Sequence, residues 1–282
     1  MSDHSLAAYT LTVYIYPSPF GVNWKSPHHL TRSVLLNSIS LKPRSIGHVA
    51  VELKRNQESV VFTGMTAQNL NHNRKLVLLE QIGLGSLFGT VPGMLEKRKK
   101  LETELEKRLN SGYFSFIHFK ISQASFEKTL QYLNEFQQKK ADFGYGLPNR
   151  PRHLEGAGCS AFTASVMEVA NVMDSEFKEN CSLTIRVPEE FLGGAGKKVP
   201  IWHLLFPNKT NLRWASVHEH GKDIYFWDPD LMHAFVQKKI SAHQESKTED
   251  FDLKYKIIRR VNTLGIEFDL EHQRPTDEPI WF

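Results

Sequence analysis

The chain has 282 residues, enough for one large domain or two small ones with a full apolar core. Hydrophobic residues make up 40% and charged residues 23%, and 35 basic against 31 acidic side chains leave a net charge of +4, the balance of an ordinary globular protein and not of a nucleic-acid binder. The only two cysteines, Cys159 and Cys181, exclude a disulfide scaffold and leave room for a free thiol.

The opening stretch, MSDHSLAAYTLTVYIYPSPFG, has no basic segment ahead of its apolar part. Leu11, Val13 and Ile15 alternate until Pro17, so a strand over 9–16 is expected and not an export signal. No apolar run reaches the ~20 residues that span a bilayer. A soluble chain without a transmembrane segment is therefore expected. A Pro- and Gly-marked loop and a short helix over 29–37 follow, with His28 and His29 read as loop residues. Gly47 to Leu53 alternates as a strand, a polar turn covers 55–58, and Ser59 to Thr63 completes an antiparallel hairpin.

The segment IGLGSLFGTVPG, residues 82–93, imitates a phosphate loop. Its G-x-G-x-x-x-G spacing and the lack of a following Lys-Ser/Thr make it a flexible surface loop instead. Glu96 to Arg108 interleaves both signs at helical spacing and reads as a solvated helix laced with i,i+4 pairs. A strand over 113–121 follows. A helix over 125–139 then carries Phe126, Leu130, Leu133 and Phe136 as one buried stripe. After a loop of residues 140–158 comes a helix over 159–169. The final third is read as strands over 183–187, 201–206, 214–218 and 223–227 and a helix over 229–240, which WDPD opens with Pro229 in its first turn. The whole is α+β in one domain.

The chemistry centres on GAGCSAFTASVMEV, residues 156–169, where small residues lead to a cysteine at the first turn of a helix. Unpaired N–H groups and the helix dipole favour a thiolate there, and the same N–H groups can hold an oxyanion. A small buried cysteine that merely packs is the competing reading, and it is the reading taken for Cys181. A thiolate nucleophile needs an imidazole within hydrogen-bond reach. Among 13 histidines, His48 stands apart because it opens a defined strand just after Gly47. A strand end is a rigid base from which to aim a ring. His218 and His220 in VHEH could hold a metal, yet no third ligand at sensible spacing accompanies them.

GHVAVEL followed much later by GCSAF at a helix start resembles the circularly permuted branch of the NlpC/P60-type papain-like cysteine hydrolases. That branch includes the YaeF/YiiX-like and the lecithin:retinol acyltransferase-like proteins. The resemblance covers about residues 45–172, with an N-terminal strand and loop and a C-terminal α/β portion as extensions. It implies a permuted papain-like fold, with an antiparallel sheet packed on the helix that bears the cysteine. It also implies Cys159 as nucleophile and His48 as base, and suggests that Tyr145 helps frame the oxyanion site. The third residue, which orients the imidazole, falls near Thr63 in the family pattern, although threonine orients weakly. Glu52 shares the His48 face but lies too far along the strand, and Glu58 falls in the turn. His153, six residues before Cys159, is a candidate substrate contact or substitute base.

The implied activity is thiol-dependent cleavage of an amide or peptide bond through an acyl-enzyme, with no cofactor. Lipid acyltransfer or ester cleavage on the same fold is the alternative, for which Leu87, Phe88 and Met94 would supply an apolar entrance. A non-catalytic binding module that keeps the fold is the other.

Overall fold

The structure is a computed structural model that describes residues 8–40, 46–69, 81–194, 196–206, 212–245 and 254–282. Ser45, where the resemblance begins, lies outside the described residues.

Strand β1 (Tyr9–Tyr16) forms from the alternating run TLTVYIY and is buried along most of its length. The reason is its place in the sheet. It pairs antiparallel with β2 (His48–Arg55) on one side and β6 (Ser115–Ile121) on the other. With β3 (Glu58–Thr63), β10 (Lys256–Arg260) and β11 (Thr263–Leu270) they make a six-stranded sheet in the order β10-β11-β6-β1-β2-β3. Leu11, Val13 and Ile15 on β1, with Val49, Val51 and Leu53 on β2, enter one core. Helices supply its other side, chiefly α4 (Gln123–Gln138), α5 (Cys159–Val169) and α8 (Pro229–Glu245). The opposite sheet face, with Tyr14, Tyr16, Ala50 and Phe116, is covered by Leu101, Leu105 and Leu109 of α3 (Arg98–Ser111). Covering both faces removes water from nearly every side chain of β1, and each large apolar group so buried contributes roughly 1.5–3 kcal/mol.

Past Thr63 the chain leaves this sheet at Gly64 and enters a second one. Strands β4 (Met65–Ala67), β5 (Val91–Leu95) and β7 (Gly144–Tyr145) form it in the order β4-β5-β7. The N–H of Glu96 donates to the carbonyl of Gly64 at 2.8 Å, which carries the β4–β5 pairing one step further. A ribbon of β8 (Ser182–Pro188) and β9 (Gly221–Trp227) packs with α1 (Pro27–Ser38) and α7 (Ile201–Leu205) around Leu30, Val187, Leu204 and Phe226.

The α+β class, the hairpin, and the helices bearing Phe126 and Cys159 match the reading of the sequence. Several details differ. The sheet is mixed, because β11 lies parallel to β6. β1 sits at its centre and β10 and β11 extend it, so the sheet is built from the first, middle and last parts of the chain and is not confined to residues 45–172. Residues 201–206, expected as a strand, form α7: Ile201 and Leu204 are buried three apart while Trp202 is 58% exposed. Residues 214–218, also expected as a strand, form a turn. There the Glu219 carboxylate accepts from the Ser216 N–H at 2.7 Å and pairs with Arg213. His28 and His29 fall in the first turn of α1, after Ser26 caps it and Pro27 starts it. The Gly-rich segment is folded: α2 (Gly85–Phe88) packs so closely that a Cβ on Gly85 would lie 2.4 Å from the Gly193 carbonyl.

Candidate active site

Cys159 is the first residue of α5, and the helix begins without a capping side chain. Gly158, extended at φ −73° and ψ 161°, starts it. The chain ahead of it lies flat against residues 144–146. A Cβ on Gly156, at φ +87°, would stand 2.3 Å from the Gly144 carbonyl, and one on Gly158 would stand 3.0 Å from that of Gly146. Only glycines permit this approach. The result is to bring β7 beside the helix start, where the Tyr145 hydroxyl donates to Sγ of Cys159 at 3.6 Å.

His48 comes from the other direction, as the first residue of β2. Gly47, at φ +72°, turns the chain where Pro229 and the Tyr16 carbonyl leave no space for a side chain. Opposite His48 on β1 stands Tyr16, whose ring stacks on the imidazole at 6.0 Å. Nε2 of His48 lies 2.6 Å from Oε2 of Glu96. With Nε2 held by the carboxylate, Nδ1 is the ring nitrogen left for the thiol. Glu96 has no exposed side-chain surface, and its Oε1 meets Nζ of Lys100 at 2.8 Å.

The partner of the imidazole is thus Glu96 and not Thr63. Thr63 sits next to it in a supporting place: its hydroxyl donates to the Glu96 backbone carbonyl at 3.1 Å. The sequence reading placed Glu96 at the head of a solvated helix. That helix begins two residues later, and its pairs Arg98–Glu102 and Arg108–Glu104 do face outward or lie at the margin. Glu96 instead follows directly on β5, a strand that Pro92 and Gly93 disguise. The available signal was TVPGMLE itself, an apolar segment ending on an acid. Glu52 is occupied elsewhere, accepting from the Tyr14 hydroxyl at 2.8 Å.

The electrostatics favour a thiolate at Cys159. Burial pushes the thiol up, but the hydrogen bond and charge of His48, the Tyr145 hydroxyl and the Val49 N–H more than offset it and bring it down to about 7. Cys181 is the opposite case. It is buried at the end of α6 (Ser175–Cys181), and burial followed by the charge of Asp228 pushes its thiol far above the ordinary range.

His153 lies in a single 3-10 turn and is exposed, its ring stacked on Phe282 at 5.3 Å. It lines an open cleft of about 540 Å³, with Arg152, Ala164, Glu168, Trp227 and Phe282. Large clefts are the usual place for a site, but this one runs behind the helix that bears Cys159. At 100° per residue, Ala164 and Glu168 lie roughly 140° and 180° around α5 from Cys159. A much smaller apolar crevice, about 20 Å³, is placed better. Its walls include Ile46, just ahead of Gly47 and His48, and Leu147, whose Cα would be 3.5 Å from a Gly158 Cβ. Leu87 also lines it, whereas Phe88 packs on Trp24 and Phe226 and Met94 stands on β5 opposite Thr66.

Among the described residues, no three His, Cys, Asp or Glu side chains converge as metal ligands, and His218 and His220 lie in an exposed turn. No described helix is long and apolar enough to cross a membrane. Neither family models, nor curated proteins, nor solved structures give a match to this chain.

Proposed function

We propose that this protein is a thiol-dependent acyl hydrolase with Cys159 as nucleophile, His48 as base and Glu96 as the carboxylate that orients the imidazole. The observation that carries this reading is the buried chain of contacts Tyr145–Cys159–His48–Glu96 at the start of a helix. The histidine-strand-first, cysteine-helix-later order resembles the permuted papain-like enzymes and supports the same roles. The buried Glu96 also weighs against a binding module that merely keeps the fold, because a carboxylate without water is costly unless it is needed.

In the reaction, His48 takes the Cys159 proton and Sγ attacks the carbonyl carbon of an amide or ester. The oxyanion is held by the backbone N–H of Cys159, with the Tyr145 hydroxyl beside it. Collapse expels the amine or alcohol, which leaves with the proton from His48. A water, deprotonated by His48, then attacks the thioester and releases the acid. Glu96 stabilises the imidazolium through Nε2 in both halves. Peptides and amides are the first substrate class. Esters are the second, and the same acyl-enzyme would pass their acyl group to another acceptor in place of water.

The test is alkylation by iodoacetamide near neutral pH, followed by mapping of the modified residue. Cys159 should react far faster than Cys181, and His48→Ala should slow it at least tenfold. Trapping with p-nitrophenyl acetate should leave an acetyl group on Cys159. Equal, slow alkylation of both cysteines would overturn the enzyme reading.

A further inference from the structure

We infer that Lys100 is a positioning residue for this site, a fourth member that holds Glu96 in place and in charge for His48. The inference rests on the catalytic reading of Cys159, His48 and Glu96.

Its ground is how the Glu96 carboxylate is shared. Oε2 faces Nε2 of His48 at 2.6 Å, and Oε1 faces Nζ of Lys100 at 2.8 Å. The carboxylate itself is out of water, while the Lys100 side chain is 59% exposed. Burial alone disfavours an ionised carboxylate, and a protonated Glu96 would give His48 no charge to lean on. A cation on the far oxygen opposes that loss. It also fixes the rotation of the carboxylate plane, because each oxygen has its own partner. The carboxylate meets His48 on β2 and Lys100 on α3, and the Thr63 hydroxyl of β3 reaches the Glu96 backbone carbonyl.

The placement is also economical in sequence. Glu96 comes directly after β5 and Lys100 stands four residues on, in the first turn of α3, so one short connection delivers both the acid and its counter-ion. The neighbouring pair Arg98–Glu102, 3.9 Å apart with both side chains exposed, is an ordinary surface pair of the kind worth little. Lys100 differs because its partner is wholly buried.

The experiment follows the pH dependence of Cys159 alkylation by iodoacetamide in Lys100→Met, Lys100→Arg, Glu96→Gln and Glu96→Gln/Lys100→Met. Lys100→Met should slow alkylation at pH 7 by roughly twofold to fivefold, the loss of thiolate when a thiol near 7 rises by about half a unit to one unit. Its profile should move to higher pH. Lys100→Arg should restore most of the rate. In the Glu96→Gln background the Lys100 change should have no further effect. A purely structural lysine would lower thermal stability and leave the profile in place. If Lys100→Met leaves the profile unchanged while Glu96→Gln shifts it, the role of Lys100 is refuted and the triad stands. If neither Glu96→Gln nor His48→Ala moves it, the triad itself fails.

Discussion

A Cβ added to Gly64 would stand 3.3 Å from Nε2 of His48 and 3.1 Å from the carbonyl oxygen of Val49. Gly64 is where the chain passes from the large sheet to the small one, and its carbonyl also anchors Glu96. Both contacts are tight, and one is to backbone, which cannot step aside. Gly64→Ala should therefore displace the imidazole by a few tenths of an ångström and slow Cys159 alkylation several-fold, with a modest cost in stability. Gly64→Val should abolish fast alkylation. The check is the alkylation rate alongside thermal denaturation; a Gly64→Val protein that reacts at the native rate would show that the ring has another way to settle.

Alkylation of Cys159 should rise with pH through the neutral range, because its surroundings bring the thiol down to about 7 and it titrates together with His48. A thiol held below its ordinary value of 9.0 stabilises the fold as thiolate. That contribution is complete above pH 9 and is lost as the pH falls through about 7. Cys181 acts in the reverse sense and only above pH 9, because its thiol is pushed up. Cys159→Ser should flatten the pH dependence of stability between 7 and 9, measured by urea denaturation at a series of pH values.

The Tyr145 hydroxyl is one of the groups that bring the thiol down. Tyr145→Phe keeps the ring and removes the donor. The midpoint of the alkylation profile should rise by about half a unit, and steady-state turnover of an activated ester should fall by more than the thiolate fraction explains if the hydroxyl also serves the oxyanion. A fall that matches the thiolate fraction alone would confine Tyr145 to the ground state.

Away from the site, Asp228 caps α8, accepting at Oδ1 from the N–H of Asp230 at 2.6 Å and of Leu231 at 3.2 Å, while Oδ2 accepts from the Trp24 indole. Burial, and then the charge of Asp230, raise its carboxyl to about 6. An acid raised in the folded state contributes its stability at low pH and loses it as the pH climbs from about 4 to about 6. Asp228→Ala should cost about 1–3 kcal/mol at neutral pH, from the lost cap and a stranded indole N–H. Calorimetry or chemical denaturation measures it, and a neutral outcome would mean that the ionised carboxylate costs as much as its bonds return.

What could be read from the chain and what could not follows from the range of each interaction. The strand over 9–16, the one expected over 47–53 (found over 48–55) and the helix at Cys159 were legible because their signals are local: alternation, and small residues before an apolar stripe. The WDPD start of α8 was legible for the same reason. Glu96 was not, because its role depends on the β4–β5 pairing that sets it beside Gly64 and within reach of His48 in the other sheet, and its four-residue spacing to Lys100 looks like any surface helix. Tyr145 could be suggested from the resemblance, and the structure puts its hydroxyl against the sulfur. His153 could not be placed by spacing alone: six residues from Cys159 in sequence, its ring turns to Phe282. The strands over 256–270 have short apolar runs broken by charges, which is how a half-exposed sheet edge reads.

The sulfur on α5, His48 on β2, Tyr145 on β7 and Glu96 just past β5 come from separate parts of the chain, and the sheet that carries β2 is finished by β11 from the far end of the chain. Such distant pairings close large loops and form slowly. Fast thiol reactivity is then a property of the assembled molecule and of no fragment of it. During refolding it should return only with the last cooperative step, behind the recovery of helix signal, so the rate at which Cys159 regains its sensitivity to alkylation becomes a clock for completion of the fold.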